Sequence, residues 1–413
     1  MPCFYRLLLL LALSVLAAPA GATASESGLR QRLDNSMRSA GSSSGAYVQN
    51  VTTGRAVFRS RHTTPRILAS NTKLYTTAAA LARFGTAGTL NTVVRGDGDL
   101  TVSGTYQGNL YLVGGGDPTF GSSRFARSAY GGGGTVEGLA AQLEEAGIER
   151  VTGRVYGDGS RHDALRGGPD SGFGISIYVG PLSGLSYNRG LATESGRGYQ
   201  SNPPTFAAAR LDDALERRGV AVRKPPLPKR RPADAELLAA IKSPPMDRLA
   251  RLTNKPSDNF FAELLVKDLA MQSTGRGTTR GGVRLAAGFA SRLGAAPASL
   301  ADGSGLSRGN RASPARVAKF LLALRERDEF SAFSDSLSVA GVDGTLGPRM
   351  RSGPARGRCR GKSGTLSNVS AVSGYCRALS GDTYVFSVLM NGVNPFGARQ
   401  LQDSMLQSIA AVR

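Results

Sequence analysis

Apolar and polar residues alternate in five segments, at residues 46–50, 55–59, 358–362, 369–377 and 383–391. This alternation is typical of strands with one buried face, and Thr52-Thr53-Gly54 and Ser380-Gly381-Asp382 supply turns between neighbouring segments. Because the segments lie near both ends of the chain, we expect one antiparallel sheet that closes when the two ends meet.

Helical periodicity fills the space between these strands. The stretch 68–84 is rich in Ala and Leu; Ser70 can start it as an N-cap or first-turn residue, and Gly85 suits its C-terminal cap. Further helices are predicted at residues 29–37, 246–252, 260–271, 281–293, 314–327 and 396–412. The predicted fold is α/β (α+β), with the sheet flanked by helices plus a helical cluster.

The composition changes between residues 83 and 242, where glycine-rich stretches separate short strands at 109–113 and 151–156 from helices at 136–146 and 207–218. Residues 225–232 are predicted to form a proline-rich basic loop. We therefore expect an inserted α/β domain at 83–242, between catalytic-domain segments 25–82 and 243–413.

The first 24 residues resemble a signal peptide. Arg6 precedes an apolar core at 7–16, and Ala22-Thr23-Ala24 suits a cleavage site. Ten apolar residues are too few for a membrane anchor, and Cys3 precedes the core, which argues against a lipoprotein. We expect a secreted, extracytoplasmic protein, in the periplasm or the cell wall.

Two cysteines follow the signal segment, Cys359 and Cys376. An even count in a secreted chain suggests a disulfide, and in an antiparallel hairpin centred near Ser367 and Asn368 the two would face each other. The alternative is a pair of buried free thiols.

The chain carries a formal charge of +21, which attracts polyanions. Basic runs at 223–224 and 229–231 lie among prolines without interleaved aromatics, and a secreted protein rarely meets nucleic acid. Anionic wall polymers or lipid head groups are the expected partners. The alternative is a solvated basic surface that reflects an arginine-rich composition.

Three short motifs carry the chemistry: Ser70-x-x-Lys73, Ser257-Asp258-Asn259, and Lys362-Ser363-Gly364-Thr365. Residues three apart share one helix face, so Lys73 would lie one turn from Ser70. Each motif alone is weak evidence, but this order is the motif set of penicillin-binding proteins and serine β-lactamases. Three of only eight lysines lie in or beside these motifs, and lysine, unlike arginine, can lose its proton.

The chain contains two histidines, His62 and His162, and neither lies near a nucleophile signature. We expect both on the surface or in loops. Two histidines without a neighbouring nucleophile argue against a Ser-His-Asp triad and against a His-rich zinc site. We expect no metal and no cofactor.

A serine nucleophile then needs another base, and a neutral lysine is the natural choice. We expect Ser70 to be the nucleophile, Lys73 the general base and Ser257 a proton relay. Asn259 would hold a substrate amide, and Lys362 would supply positive charge for a substrate carboxylate.

The third motif would complete the site. The hydroxyls of Ser363 and Thr365, beside Gly364, can bind the substrate carboxylate. Backbone N–H groups of Ser70 and Thr365 could form an oxyanion hole.

Longer stretches strengthen the likeness. The chain resembles the low-molecular-mass penicillin-binding proteins with inserted domains, the DacB-like D-alanyl-D-alanine carboxypeptidases/endopeptidases. The stretches that carry it are NLYLVGGGDP at 109–118, PLSGLSYN at 181–188, KPSDNFFAE at 255–263, DGSGLSRGN at 302–310, KSGTL at 362–366 and VSGY at 372–375.

The resemblance implies a β-lactamase/transpeptidase-like catalytic domain and acylation of Ser70 by peptidoglycan peptides ending in D-Ala-D-Ala, followed by D-alanine release and hydrolysis. It also implies inhibition by β-lactam antibiotics and, in many members, cleavage of cross-links. Arg308 is a candidate for binding a side-chain carboxylate of the substrate; the alternative is a surface salt bridge. Ser363 replaces the usual threonine, and the insertion looks short for the family.

Two other functions compete with this one. A class A β-lactamase shares the three motifs, but it would be expected to carry an E-x-x-L-N loop, which the sequence lacks, and it would not need the insertion. A catalytically inactive wall-binding protein would use the basic surface alone, which the intact motifs oppose.

Overall fold

The computed structural model of the protein describes residues 26–413, so the predicted signal segment lies outside the described residues. Eleven α-helices belong to this part of the chain. They are α1 (Glu26–Ser39), α2 (Thr72–Phe84), α3 (Ser123–Tyr130), α4 (Val136–Glu145), α5 (Pro203–Glu216), α6 (Met246–Asn254), α7 (Asn259–Thr274), α8 (Thr279–Arg292), α9 (Pro314–Leu324), α10 (Phe330–Ser336) and α11 (Pro395–Ala410).

Strands from both ends of the chain form one six-stranded antiparallel sheet, in the order β12-β13-β14-β15-β1-β2. Its strands are β1 (Ser44–Asn50), β2 (Ala56–Ser60), β12 (Ser338–Val339), β13 (Cys359–Leu366), β14 (Val369–Arg377) and β15 (Thr383–Asn391). The predicted closure of the sheet by the two ends of the chain is confirmed.

Helices cover both faces of this sheet. Helices α1 and α11 pack on one face, where Leu33 and Met405 are buried. Helices α2 and α6–α10 form the helical cluster on the other face, around residues such as Tyr75 and Phe320. This double cover explains why the central strand β14 is buried along nearly its whole length.

The second sheet has seven strands in the order β10-β4-β7-β8-β6-β5, with β9 on the other side of β8. They are β4 (Asn91–Gly96), β5 (Asp99–Leu100), β6 (Thr105–Gln107), β7 (Leu110–Val113), β8 (Arg150–Asp158), β9 (Ala221–Pro228) and β10 (Glu236–Lys242). A separate core forms where α4 and α5 pack on one face of it. The remaining pair, β3 (Arg66–Ile67) and β11 (Arg311–Ala312), lies beside the nucleophile helix.

Two expectations need correction. The first half of the predicted proline-rich loop, residues 225–228, belongs to strand β9, because an edge strand tolerates prolines, which lack the N–H that an inner strand would donate. His162 lies in a loop, one of the two predicted settings, but it is buried, with its ring nitrogen Nε2 2.9 Å from the buried carboxylate of Asp268. Helix α2 ends at Phe84 with Gly85 as its C-cap, as the alanine- and leucine-rich stretch predicted. None of the helices within residues 26–413 has the length and apolar character that crossing a membrane requires.

Candidate active site

Ser70 lies in a short 3-10 turn, Ala69–Asn71, that leads directly into α2. Its hydroxyl does not cap the helix; it lies 3.1 Å from the amino group of Lys73, which donates a hydrogen bond to it. The turn is held by a neighbouring loop that approaches so closely that a Cβ on Gly305 would lie 1.9 Å from the carbonyl oxygen of Ala69. The close approach of this loop therefore fixes the turn that carries the nucleophile.

The Lys73 side chain is fully buried. Its amino group donates further hydrogen bonds to Asn259 Oδ1 at 2.7 Å and to the carbonyl oxygen of Ser304 at 2.6 Å. Burial lowers the pKa of Lys73 to about 8, against the opposing effect of the carboxylates of Asp302, Asp258 and Glu263. A lysine in this state can be neutral at a pH where ordinary lysines are charged.

The buried carboxyl group of Glu263 holds the loop that contacts Lys73. Glu263 accepts hydrogen bonds from the backbone N–H groups of Gly303 and Ser304, at 3.0 and 2.8 Å, and so fixes the carbonyl that receives Lys73. Burial, followed by the neighbouring carboxylate of Asp302, raises the pKa of Glu263 to about 8. Glu263 therefore positions Lys73 through the loop.

The Ser257-Asp258-Asn259 motif forms the turn before α7. Asp258 caps that helix by accepting the N–H of Phe261, and Ser257 has a left-handed backbone angle, φ +64°. Its hydroxyl accepts a hydrogen bond from the amino group of Lys362 at 2.8 Å. Burial, and then the charge of Lys73, lowers the pKa of Lys362 well below its usual value.

Strand β13 presents an open edge to the same space. Its partner β12 pairs only with Arg360 and Gly361, which leaves the following residues of that edge free of β12. The N–H of Ser70 lies 2.8 Å from where a Cβ on Gly364 would stand, so only glycine fits there. On the other side of the strand, Cys359 faces Cys376 of β14 and forms a disulfide with it.

These parts surround a cleft of about 810 Å³. Its lining includes the predicted residues Ser70, Ser257, Asn259, Arg308, Ser363, Gly364 and Thr365. Arg308 donates to Asn368 Oδ1 at 2.8 Å and to Ser367 Oγ at 2.6 Å, and it forms no ion pair with any residue of the described chain. The surface salt bridge considered as the alternative is therefore absent.

Three further residues, from distant segments of the chain, contact or line the cleft. None of them was predicted from the sequence. Thr345 accepts a hydrogen bond from the Ser363 hydroxyl at 2.7 Å, and Arg399 donates one to the Thr365 hydroxyl at 3.0 Å. Asp170 lines the cleft from the inserted domain. No local spacing connects these residues to the motifs, so the sequence offered no signal for them.

Residues of the inserted domain also contact the second motif, Ser257-Asp258-Asn259. The carbonyl oxygen of Tyr178 accepts the amide of Asn259 at 3.1 Å, and Arg189 pairs with Asp258, with Nη2 and Oδ1 3.2 Å apart. The Arg189 guanidinium also lies 5.3 Å from the centre of the Phe260 ring. The one sequence signal for this contact was the stretch 181–188, which ends immediately before Arg189.

We compared the chain with known protein families and with known proteins. The model of the D-Ala-D-Ala carboxypeptidase 3 (S13) family matches residues 29–192 and 191–412. The chain belongs to this family of peptidases. It is 28% identical, over 90% of its length and 81% of the relative's, to the D-alanyl-D-alanine carboxypeptidase of Actinomadura sp. (strain R39).

Solved structures show the same fold. Penicillin-binding protein 4 (dacB) from Haemophilus influenzae superposes with a TM-score of 0.78 at 19% identity, covering 90% of this chain and 97% of that one. A penicillin G-acylated predatory endopeptidase from Bdellovibrio bacteriovorus gives 0.52 at 18% identity, with 87% and 90% covered. The predicted transpeptidase-like fold with an insertion is confirmed.

Proposed function

We propose that this S13-family enzyme removes the terminal D-alanine from peptidoglycan stem peptides through an acyl-enzyme on Ser70. The observation that carries the proposal is the buried amino group of Lys73, 3.1 Å from the Ser70 hydroxyl and with a lowered pKa. A neutral lysine at hydrogen-bonding distance is what a serine needs to become a nucleophile without histidine.

In the first half-reaction, Lys73 accepts the proton of Ser70 while Ser70 Oγ bonds to the carbonyl carbon of the penultimate D-alanine. The N–H groups of Ser70 and Thr365 stabilise the negative oxygen of the tetrahedral intermediate. The peptide C–N bond then breaks, and the leaving amine receives its proton through Ser257.

The next step regenerates the enzyme. Water attacks the acyl carbon and gives up a proton to Lys73. The bond between the acyl carbon and Ser70 Oγ then breaks, Lys73 returns the proton to Oγ, and the shortened peptide leaves with a new carboxylate. Asn259 holds the peptide amide in place, and its own carbonyl oxygen fixes Lys73 throughout.

Lys362 and the β13 edge suit the terminal carboxylate of the substrate. A carboxylate beside Lys362 would favour its charged form and offset the burial that lowers its pKa. The hydroxyls of Ser363 and Thr365 line the same cleft. The Thr365 hydroxyl accepts from Arg399 and keeps its own proton to donate, whereas Ser363 would turn from Thr345 to donate to the carboxylate.

Arg308 lies at the end of the cleft beside the β13–β14 turn, where its exposed guanidinium can bind a carboxylate on a substrate side chain. The same open cleft could accept a cross-linked peptide, which would give endopeptidase activity of the kind named for the Bdellovibrio protein.

The site also suits β-lactams, whose ring carbonyl would acylate Ser70 in place of a peptide. The competing β-lactamase function requires fast deacylation, and the sequence lacks the E-x-x-L-N loop expected for class A. The predicted signal segment supports a location outside the cytoplasmic membrane, and the +21 charge supports contact with anionic wall polymers there.

The test is release of D-alanine from an N-acylated tripeptide ending in D-Ala-D-Ala. We expect turnover by the mature protein and a loss of roughly a thousandfold or more in Ser70→Ala. Ser380→Ala, at an exposed turn, is the matched control and should keep full activity. Equal D-alanine release by Ser70→Ala would refute the assignment.

A further inference from the structure

The basic strip of the inserted domain, defined as Arg223, Lys224, Lys229, Arg230 and Arg231, is not used by the catalytic site. Between residues 217 and 231 the chain has seven basic residues and no acidic one. Strand β9 pairs only with β8, so it is an edge strand, and most of its residues are exposed. The strip therefore runs along an open edge of the sheet.

The charges of the strip are uncompensated. None of its five residues forms an ion pair with another residue in the described range 26–413. The buried carboxylate of Asp158 accepts the backbone N–H groups of Arg231 and Ser160 and forms no ion pair with the Arg231 side chain. Glu236, the first residue of β10, lies on the opposite edge of the sheet from the strip.

Neighbouring strands add cations and order them. Arg154 of β8 stands opposite Lys224 in the β8–β9 register and lies 5.7 Å from the centre of the Tyr156 ring. The amino group of Lys229 lies 5.1 Å from the Tyr156 ring centre and 5.9 Å from that of Tyr111, and the two rings stack. These contacts hold the long side chains on one face of the sheet.

The strip ends at a hollow of about 300 Å³. Lys229, Arg230 and Arg166 line it together with the polar side chains of Ser183 and Asn202. One of its carboxylates, Asp163, pairs with Lys267, and the other is Asp158. A single anionic group can enter this hollow while further anions follow the strand.

We propose that the basic strip binds a linear phosphodiester polymer of the cell wall; this rests on the extracytoplasmic location in the proposed function. The five cations lie between Arg223 on β9 and Arg231 just beyond its end, and an extended segment of this length spans roughly 25 Å, which suits an extended chain of repeating anions. A bilayer surface fits less well, because the tyrosine rings that would enter it lie beneath Lys229 and Arg154.

The test uses linear inorganic polyphosphate as the probe, and the variant Lys224→Gln/Lys229→Gln/Arg230→Gln. The control, Arg280→Gln/Arg284→Gln/Arg292→Gln, removes three exposed charges on α8, none of which lines the hollow. We expect the strip variant to bind polyphosphate at least about tenfold more weakly, with a smaller salt dependence, and the control to stay within about twofold of the parent.

Three outcomes would overturn the proposal: no binding by the parent, an equal loss in the control, or binding to anionic phospholipid vesicles that exceeds polyphosphate binding and depends on the strip. Penicillin labelling of Ser70 is measured on the same samples. Labelling of both variants at the parent's level shows that they are folded. Absence of labelling in the parent would count against the proposed function, separately from the strip.

Discussion

At the scale of single residues, the site depends on backbone conformations that residues other than glycine rarely adopt. Ala69, immediately before the nucleophile, has φ +46°, and Ser257 has φ +64°. Such conformations cost of order 1–3 kcal/mol each and persist where the surroundings impose them. Here the loop at Gly305 packs against Ala69, and the amino group of Lys362 donates a hydrogen bond to Ser257. Part of the folding free energy therefore offsets the backbone strain that orients the hydroxyls of Ser70 and Ser257.

The lowered pKa of Lys73 predicts how acylation depends on pH. Only the neutral amine can accept the Ser70 proton, so the second-order rate constant with benzylpenicillin should rise as pH increases through about 8 and level off above it. Lys73→Arg, which stays charged, should lose acylation at every pH. A rate that is flat from pH 6 to 10, or an active arginine variant, would exclude Lys73 as the base.

The sequence predicted the Ser70–Lys73 contact because helical spacing alone brings residues three apart together. It could not predict Ser304, Glu263 or Arg189, which reach the site from other segments through tertiary packing. The burial of His162 was missed for the same reason, since its partner Asp268 is 106 residues away.

At the scale of elements, the disulfide joins β13, which lines the cleft, to its neighbour β14. Cys359 lies three residues before Lys362 on β13, and Cys376 is directly opposite it on β14. The hairpin pattern predicted these strands and their register from alternation and turn residues. It did not predict β9, because proline was taken as a strand breaker and the open sheet edge is not visible in the sequence.

Removal of the disulfide should destabilise the protein without removing its chemistry. For a separation of 17 residues, reduction should lower the free energy of unfolding by about 3 kcal/mol, because the unfolded chain gains entropy. Denaturant unfolding with and without a thiol reductant measures this. The variant Cys359→Ala/Cys376→Ala is the control and should not respond to the reductant; an equal response would mean that the effect lies elsewhere.

At the scale of the whole molecule, the inserted domain is fastened to α7 by buried charges. Asp268 of α7 accepts a bond from Arg161 at 2.8 Å and contacts His162 at 2.9 Å, while Lys267 pairs with Asp163. The sequence placed the insertion between the first two motifs, but these contacts depend on how the two units meet. The insertion is therefore a wall of the catalytic cleft as well as a separate sheet.

Neutralising the central carboxylate should loosen this junction. Asp268→Asn removes the charge that Arg161 contacts in a buried site, and we expect a loss of about 3 kcal/mol in the free energy of unfolding together with slower acylation. Asp99→Asn, at an exposed position, is the matched control. Unfolding curves and acylation rates that are alike for both variants would show that the junction does not support the site.

The most direct test of the central claim is the intact mass of the mature protein and of Ser70→Ala after incubation with benzylpenicillin. We predict a stable adduct of one penicillin on the mature protein and none on the variant. An adduct on both proteins would contradict Ser70 as the nucleophile. Rapid hydrolysis of penicillin without a lasting adduct would contradict the carboxypeptidase account and favour a β-lactamase.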